Sequence, residues 1–445
     1  MKSVSVFATL AFLICALPGL AADKKSEKPK ERVLDSLVAG GAAFWDMGQE
    51  AFESEFRETG FEWNSEVKKT ARFAGRDLTL WGEPVGETLV DFKDGSVQRV
   101  GISIYNKGDN RNIRDRKVFE AKVKDWRDLI EKKTGVPAVD RGRDKKSAAN
   151  AFGYIYSDKG TTRLLEFSYQ REVRSRNIPF NGEFIKLKVA ETPKRDFFDR
   201  GPKNAVKVAK GDLKKRVERQ NNGDVLITSV PMVDQGNKGY CVCASVERVM
   251  KYYGVQVDQH QMAQIADSTA AGTSTDAMMD ALKKISGRFA VRTRTVRDVD
   301  PRKDVNGKWC DLYNRALRKY GDDFPGAREK DTREFHYTLA SFNGELLKKG
   351  RESRPGDVDR FRKEIREEID KGIPILWTLW MGYFPEEGIP QAPQSGHMRV
   401  IIGYNEKTDE VIYSDSWGAG HEEKRQPVIN ALTSTTGLYV LEPSK

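Results

Sequence analysis

The chain has 445 residues, 32% charged and 38% apolar, with 76 Lys and Arg against 66 Asp and Glu for a formal net charge of +10. That length suggests two or three domains, and 21 Phe, 14 Tyr and 8 Trp exclude a disordered chain. With no Gly period, no sustained heptads and one long apolar run, collagen, coiled coil and a multi-span membrane protein are excluded as well. The charge excess is mild and spread along the chain, so no nucleic-acid partner is expected.

The apolar run opens the chain. Lys2 precedes Val4 to Leu17, Pro18-Gly19 breaks the run, and Gly19-Leu20-Ala21 sets small residues three before and one before a cut. This is the pattern of a secretory signal peptide over 1–21, too short to span a membrane as a mature helix. A lipoprotein reading through Cys15 is disfavoured because bulky Ile14 stands where a small residue belongs. The mature chain is therefore expected to be exported, to the periplasm or the medium, with no membrane span left. Residues 22–39 read as a flexible charged tail.

An N-terminal α+β domain is expected over 40–191. Phe44 to Phe56 reads as a helix, and Leu78–Leu80, Thr88–Phe92 and Val97–Tyr105 as strands, with Asp94-Gly95 as a hairpin turn between the last two. Phe119, Val123, Trp126 and Ile130 recur at helical spacing, and Gly135 and Pro137 stop that helix. Phe152–Tyr156, Arg163–Tyr169 and Phe184–Val189 complete a strands, helix, strands order. No catalytic constellation is visible in it, and its role is left between a targeting module and a prosegment covering a cleft. Residues 192–224, rich in Lys and Arg and holding Pro193 and Pro202, read as a basic linker.

The second domain, 225–445, reads as helices after Cys241, from Gln259, from Thr275 and over Val358 to Lys371. In the last, Val358, Phe361, Ile365 and Ile369 form the buried face and Gly372 ends it. Ile373 to Trp380 reads as a buried strand, followed by strands at Met398–Gly403 and Glu410–Tyr413. A helical half packed on a sheet half, with a cleft between, is the expected architecture, again α+β. Trp377 and Trp380 are assigned to the core.

Apart from Cys15, the cysteines are Cys241, Cys243 and Cys310, a poor disulfide framework. His260, His336, His397 and His421 show no zinc-ligand spacing, so no metal site and no cofactor are expected. The chemistry concentrates at Gln235-Gly236-Asn237-Lys238-Gly239-Tyr240-Cys241. A Gly-rich segment leads into a Cys at a helix start, where the helix dipole and free N–H groups favour the thiolate. Gln235, six residues upstream, is placed to stabilise an oxyanion with its side-chain amide.

These residues resemble the papain-like cysteine peptidases, whose pattern is Gln-Gly-x-x-Gly-x-Cys at a helix start. Gln235, Gly236, Gly239 and Cys241 match it, and Ser245 matches a Ser often found four residues after the Cys. His397, in a strand ending Gly403-Tyr404, and Ser414-Asp415-Ser416-Trp417-Gly418 follow in the family's order, with Asp for the usual Asn. The Cys-to-His interval is slightly above the roughly 130–150 residues of the papain pattern. Asp415, Tyr252-Tyr253-Gly254, Gly372-Ile373-Pro374 and Leu438 to Pro443 resemble more closely the bacteriocin-processing, double-glycine leader peptidase branch. The resemblance covers the C-terminal half only. Val242-Cys243 departs from that branch's Gly-Pro, and Lys238 and Val242 replace the disulfide Cys and the Trp of papain relatives. No transporter or nucleotide-binding half follows, so leader processing during export is not implied.

What the resemblance implies is a Cys-His-Asp thiol hydrolase acting on peptide or isopeptide bonds. Cys241 attacks, His397 moves the proton, Asp415 orients and charges the ring, and Gln235 with the Cys241 N–H forms the oxyanion hole. Two alternatives stay open: a papain-fold acyl transferase of transglutaminase type, and a silent binding or scaffold protein. The partner is a peptide or protein substrate, and oligomeric state leaves no signal. Cys243 is assigned to packing, with a redox link to Cys241 as the alternative, and Cys310 to a structural or merely exposed place. His260 and His421 are assigned to the surface, His421 near enough to Trp417 to rim a cleft.

Overall fold

Alternating apolar residues build two separate eight-stranded sheets, one in each half of the chain. The computed structural model describes residues 31–444 except 110–111, 145–149, 159, 174, 176, 193–207, 237–238, 256, 269–271, 301–306, 332–338, 387–388 and 390–393. The expected signal peptide, Cys15, Lys238, His336 and the middle of the expected linker lie outside the described residues. Among those described, no helix is long and apolar enough to cross a membrane.

The first sheet is antiparallel throughout. Its order is Glu62–Trp63, Thr70–Phe73, Thr88–Lys93, Ser96–Asn106, Asn181–Glu191, Thr161–Gln170, Ala151–Ser157 and Val139–Arg143. The turn between its third and fourth strands has positive φ at both Asp94 (53°) and Gly95 (86°), the geometry that suits the strands' twist. One face, with Ile102, Leu165, Ile185 and Leu187, packs against the helix Arg116–Thr134 through Phe119, Val123, Trp126 and Ile130, the four residues read from spacing. Asp115 caps that helix, accepting from the N–H of Lys117 at 2.7 Å, and Gly135 ends it in the left-handed region.

Two boundaries in this half differ from expectation. The helix expected over Phe44–Phe56 is two helices, Ala42–Trp45 and Gln49–Phe56, because Gly48 takes an extended conformation between them. Residues 32–39 are drawn out of the expected tail by apolar burial. Leu34, Leu37 and Val38 enter the core, and Arg32–Val33 pairs with Leu78–Thr79.

The second sheet runs Val217–Arg219, Asp224–Ile227, Gly396–Asn405, Ile375–Trp380, Thr435–Pro443 and Val291–Asp298. Glu410–Ser414 branches from Gly396–Asn405 and carries Lys424–Pro427. The helices Cys241–Tyr252, Gln259–Ile265, Thr275–Phe289 and Pro355–Ile369 share its core, the last through Val358, Phe361, Ile365 and Ile369. Within the expected linker, Lys210–Leu213 is helical, Leu213 is fully buried in this same core, and Val217–Arg219 is a strand of this sheet. A third core, unforeseen in the sequence, joins Lys308–Tyr320 and Gly344–Glu352 through Trp309, Cys310, Tyr313, Leu346 and Leu347, with Tyr383 packed on them. Cys310 is thereby wholly buried.

The other face of the first sheet is polar and meets the second half. Arg72 reaches Asp234 (3.1 Å), Lys186 reaches Asp258 (2.7 Å) and Lys107 reaches Asp267 (3.4 Å). In each pair the cation comes from the N-terminal half and the carboxylate from the C-terminal half. Gln264 also donates to Ser168 across the boundary.

Candidate active site

Cys241 is the first residue of the helix Cys241–Tyr252, whose apolar face of Val242, Val246, Val249 and Met250 fixes the helix against the sheet. That anchoring leaves Cys241 half-buried while Cys243, two residues on, is fully buried. His397 is the second residue of the strand Gly396–Asn405, opposite Leu379. Asp415 follows the strand Glu410–Ser414, whose last residue lies opposite Val400. Sheet register thus brings His397 and Asp415 side by side, and the helix brings Cys241 to them.

The geometry is tight. His397 Nε2 lies 2.6 Å from Asp415 Oδ1, and the Cys241 thiol is near enough to the same ring to act on its charge. Burial alone would disfavour the imidazolium. The Asp415 carboxylate, helped by Cys241, outweighs it and pushes the His397 pKa up to about 9. Asp415 has no exposed surface, which by itself would favour its neutral form. His397, Arg399 and the Ser416 N–H (2.8 Å) hold the carboxyl well below the usual carboxylate range. The Trp417 ring stacks on His397 at 4.9 Å between centroids, covering the pair from water.

Gln235 joins this group through Ser416. Its backbone N–H donates to the Ser416 carbonyl (2.8 Å), and Ser416 Oγ donates to Gln235 Oε1 (2.7 Å). All four residues singled out in the sequence, Cys241, His397, Asp415 and Gln235, lie in one cluster.

Several members of the site were not singled out in the sequence. Arg399 is fully buried behind Asp415 and donates from Nε to Oδ2 at 2.7 Å. Its Nη1 reaches Glu386 at 2.7 Å, and its guanidinium lies 4.4 Å from the Tyr413 ring centroid. Tyr413 OH in turn donates to the same Glu386 oxygen. Arg248, on the Cys241 helix, donates to the carbonyls of Pro231 (2.8 Å) and Asp415 (2.9 Å) and to Ser414 Oγ, tying that helix to the Asp415 turn. A signal existed for Arg399: a charge inside the apolar run Met398-Arg399-Val400-Ile401 must find a partner.

The remaining residues fall as follows. Ser245 Oγ donates to the Met398 carbonyl at 3.3 Å. Cys243 Sγ contacts Ser268 and Thr273 hydroxyls, and burial pushes its thiol up to about 12. His260 is half-buried with its ring 6.2 Å from that of Tyr240, not on the surface as expected, because the N-terminal half covers this region. His421 lies edge-on to Trp417 at 5.5 Å, and burial lowers its pKa. Trp377 is in the core and donates to Thr435 Oγ1 at 2.8 Å.

Residues 227–435 match the model of the Peptidase_C39 like family. That segment holds Cys241, His397, Asp415 and Gln235, and it is the half that carries the motif resemblance. No curated protein matches the sequence. Among solved structures, the chain is similar to xylellain, a cysteine protease from Xylella fastidiosa, at 13% identity and a TM-score of 0.27. The likeness covers 54% of this chain and 92% of that one.

Proposed function

We propose that the C-terminal half is a papain-like cysteine peptidase domain, cutting peptide or isopeptide bonds through Cys241, His397 and Asp415. The observation that carries this reading is the convergence of Cys241, at a helix start, on the His397–Asp415 pair, with 2.6 Å between ring and carboxylate. The Peptidase_C39 like match over the same residues supports it.

In this mechanism the Cys241 sulfur attacks the scissile carbonyl carbon while His397 holds the thiol proton. The C–N bond then breaks, His397 delivers that proton to the leaving amine, and a thioester to Cys241 remains. Water attacks the thioester, giving its proton to His397, and the acid leaves with the free thiol restored. The oxyanion formed in each half is met by the Cys241 N–H and the Gln235 amide. Asp415 keeps the ring oriented and favours its charged form, as in other nucleophile–base–orienter groups. The four N-terminal N–H groups of a helix have no intrahelical partner, which makes the Cys241 N–H available for this task.

The expected signal peptide places this activity outside the cytoplasm, so the proposed enzyme is exported. Incubation of the purified mature chain with a peptide library under reducing conditions, with Cys241→Ala as control, tests the reading. Cleavage in the first and none in the second is expected. Transfer of an added amine into the product, in place of hydrolysis, would move the assignment to an acyl transferase.

A further inference from the structure

Among the described residues, the N-terminal half meets both ends of the segment that leads through Gln235 to Cys241. At the first, Arg72 Nη1 lies 3.1 Å from Asp234 Oδ2 while its Nε bonds Glu87 at 2.7 Å. Asp234 Oδ1 accepts from the Gly236 N–H at 2.6 Å, so the carboxylate shapes the backbone around Gln235. At the second, the Tyr240 hydroxyl donates to Asn106 Oδ1 at 3.0 Å, with Tyr240 wholly buried. Asn106 is itself held, because the same oxygen accepts from the Gly108 N–H at 2.7 Å. The Tyr240 ring lies so close to the backbone there that a Cβ on Gly108 would stand 2.3 Å from the hydroxyl.

Tyr240 is the cap residue of the Cys241 helix, and no side chain of its own segment caps that helix. Its position is set from outside, by the end of the strand Ser96–Asn106. The first sheet's polar face makes these contacts as part of the same charge-matched boundary that pairs Lys186 with Asp258. A removable cover has no need to hold the segment leading into a nucleophile at both of its ends.

We propose that the N-terminal half is a working part of the catalytic centre, with Arg72 and Asn106 as positioning residues that hold Gln235 and Cys241 in register with His397. This rests on the peptidase reading above. Two residues that contact neither Cys241 nor His397 then govern how the thiol meets the imidazole. A misplacement of about 1 Å at such a site is worth about 100-fold in rate.

The test uses the full mature chain and iodoacetamide, with the label located by mass spectrometry. Cys243 and Cys310 are buried, which leaves Cys241 as the reactive thiol among the described residues. Alkylation rates are read at pH 6 and pH 10. A lone thiol with the ordinary pKa near 8.5 reacts roughly 300-fold more slowly at pH 6. In the wild type, pairing with His397 is expected to keep most of the rate at pH 6. Arg72→Met, Asn106→Ala and Tyr240→Phe are expected to lose about tenfold or more at pH 6 and little at pH 10. Arg72→Lys, which keeps the charge, is expected to recover at least half of the lost rate on a logarithmic scale.

A wild type that behaves as a lone thiol overturns the peptidase reading itself. A wild type that reacts well at pH 6, with all three variants matching it, overturns this inference and leaves that reading standing. If Arg72→Met or Asn106→Ala also lowers the pH 10 rate and the urea midpoint, Tyr240→Phe decides, since it removes one hydroxyl and leaves the ring. An unchanged pH 6 rate in Tyr240→Phe then overturns the proposal.

Discussion

Arg399 donates to the Asp415 oxygen that faces away from His397, at 2.7 Å, and neither side chain exposes any surface. Asp415 is thus shared between two cations, one fixed and one that gains and loses a proton. Removing one partner from a buried pair leaves an uncompensated charge and costs about 3–5 kcal/mol. Arg399→Met is expected to lower stability to urea by that amount, because it takes the guanidinium away from both Asp415 and Glu386. The double variant Arg399→Met/Asp415→Asn is expected to cost less than the sum of the singles by about 1–3 kcal/mol. A strictly additive pair of costs would mean that Arg399 acts through Glu386 and Tyr413 and not through Asp415.

The second expectation concerns pH. Burial works against the His397 imidazolium, and Asp415 outweighs it to push the pKa up to about 9. A raised folded pKa favours the protonated state. Its contribution to stability is therefore complete below the unfolded value, about 6.5, and is lost as pH rises through about 9. The alkaline limb of kcat/KM is expected at the same place. Asp415→Asn keeps a hydrogen-bond acceptor and removes the charge, so that limb is expected to move to lower pH with part of the rate retained. Asp415→Ala loses orientation too, and its rate is expected to fall by a large part of the about 10²–10⁴-fold that general acid–base help supplies. A pH profile in Asp415→Ala that matches the wild type would reduce Asp415 to a turn residue.

Cys241 and Cys243 separate by environment. Cys243 is fully buried, contacts the hydroxyls of Ser268 (3.4 Å) and Thr273 (3.3 Å), and has its thiol pushed up to about 12 by burial. A thiol so placed holds its proton near neutral pH and is a poor nucleophile. Cys241→Ala is expected to abolish turnover and labelling by an alkylating peptide. Cys243→Ala is expected to keep both, with a stability loss of about 0.5–3 kcal/mol. Labelling lost only in Cys243→Ala would reverse the assignment.

The sequence was most legible where local pattern and burial agree. Phe119, Val123, Trp126 and Ile130 predict one helix face, and that face is the one buried. The segment from Gln235 to Cys241 and the strands carrying His397 and Asp415 were legible because their spacing follows a known peptidase pattern. Long-range choices were not. The strand Val291–Asp298 alternates Arg and Thr with little apolar content, and it exists because Thr435–Pro443 pairs with it. The helix Lys308–Tyr320 buries Trp309 and Tyr313 in one cluster with Leu346 and Leu347 of Gly344–Glu352, a pairing that neither segment announces alone. The contact of Asn106 with Tyr240 spans 134 positions, beyond any pattern read along the chain.

The start of the C-terminal half gives the last prediction. The basic stretch over 192–224 marks Val225 as the natural first residue of an independent chain. Yet Leu213 is fully buried in the C-terminal core, and Arg216 donates to the Tyr252 carbonyl at 2.8 Å. Val217–Arg219 also covers the edge of Asp224–Ile227, and a strand left bare there offers unpaired backbone to other molecules. Burying a leucine is worth about 1.5–3 kcal/mol, and each kcal/mol moves the melting point of a domain this size by about 2–4 °C. A chain beginning at Val208 is therefore expected to melt roughly 3–12 °C above one beginning at Val225, and to aggregate less. Both lack Arg72 and Asn106, so both are expected to show slow alkylation of Cys241 at pH 6. Equal melting points would place the boundary at Val225 and leave Leu213 as a dispensable attachment. Brisk alkylation at pH 6 in a well-folded chain beginning at Val208 would show instead that the Cys241 helix holds its register without the N-terminal half.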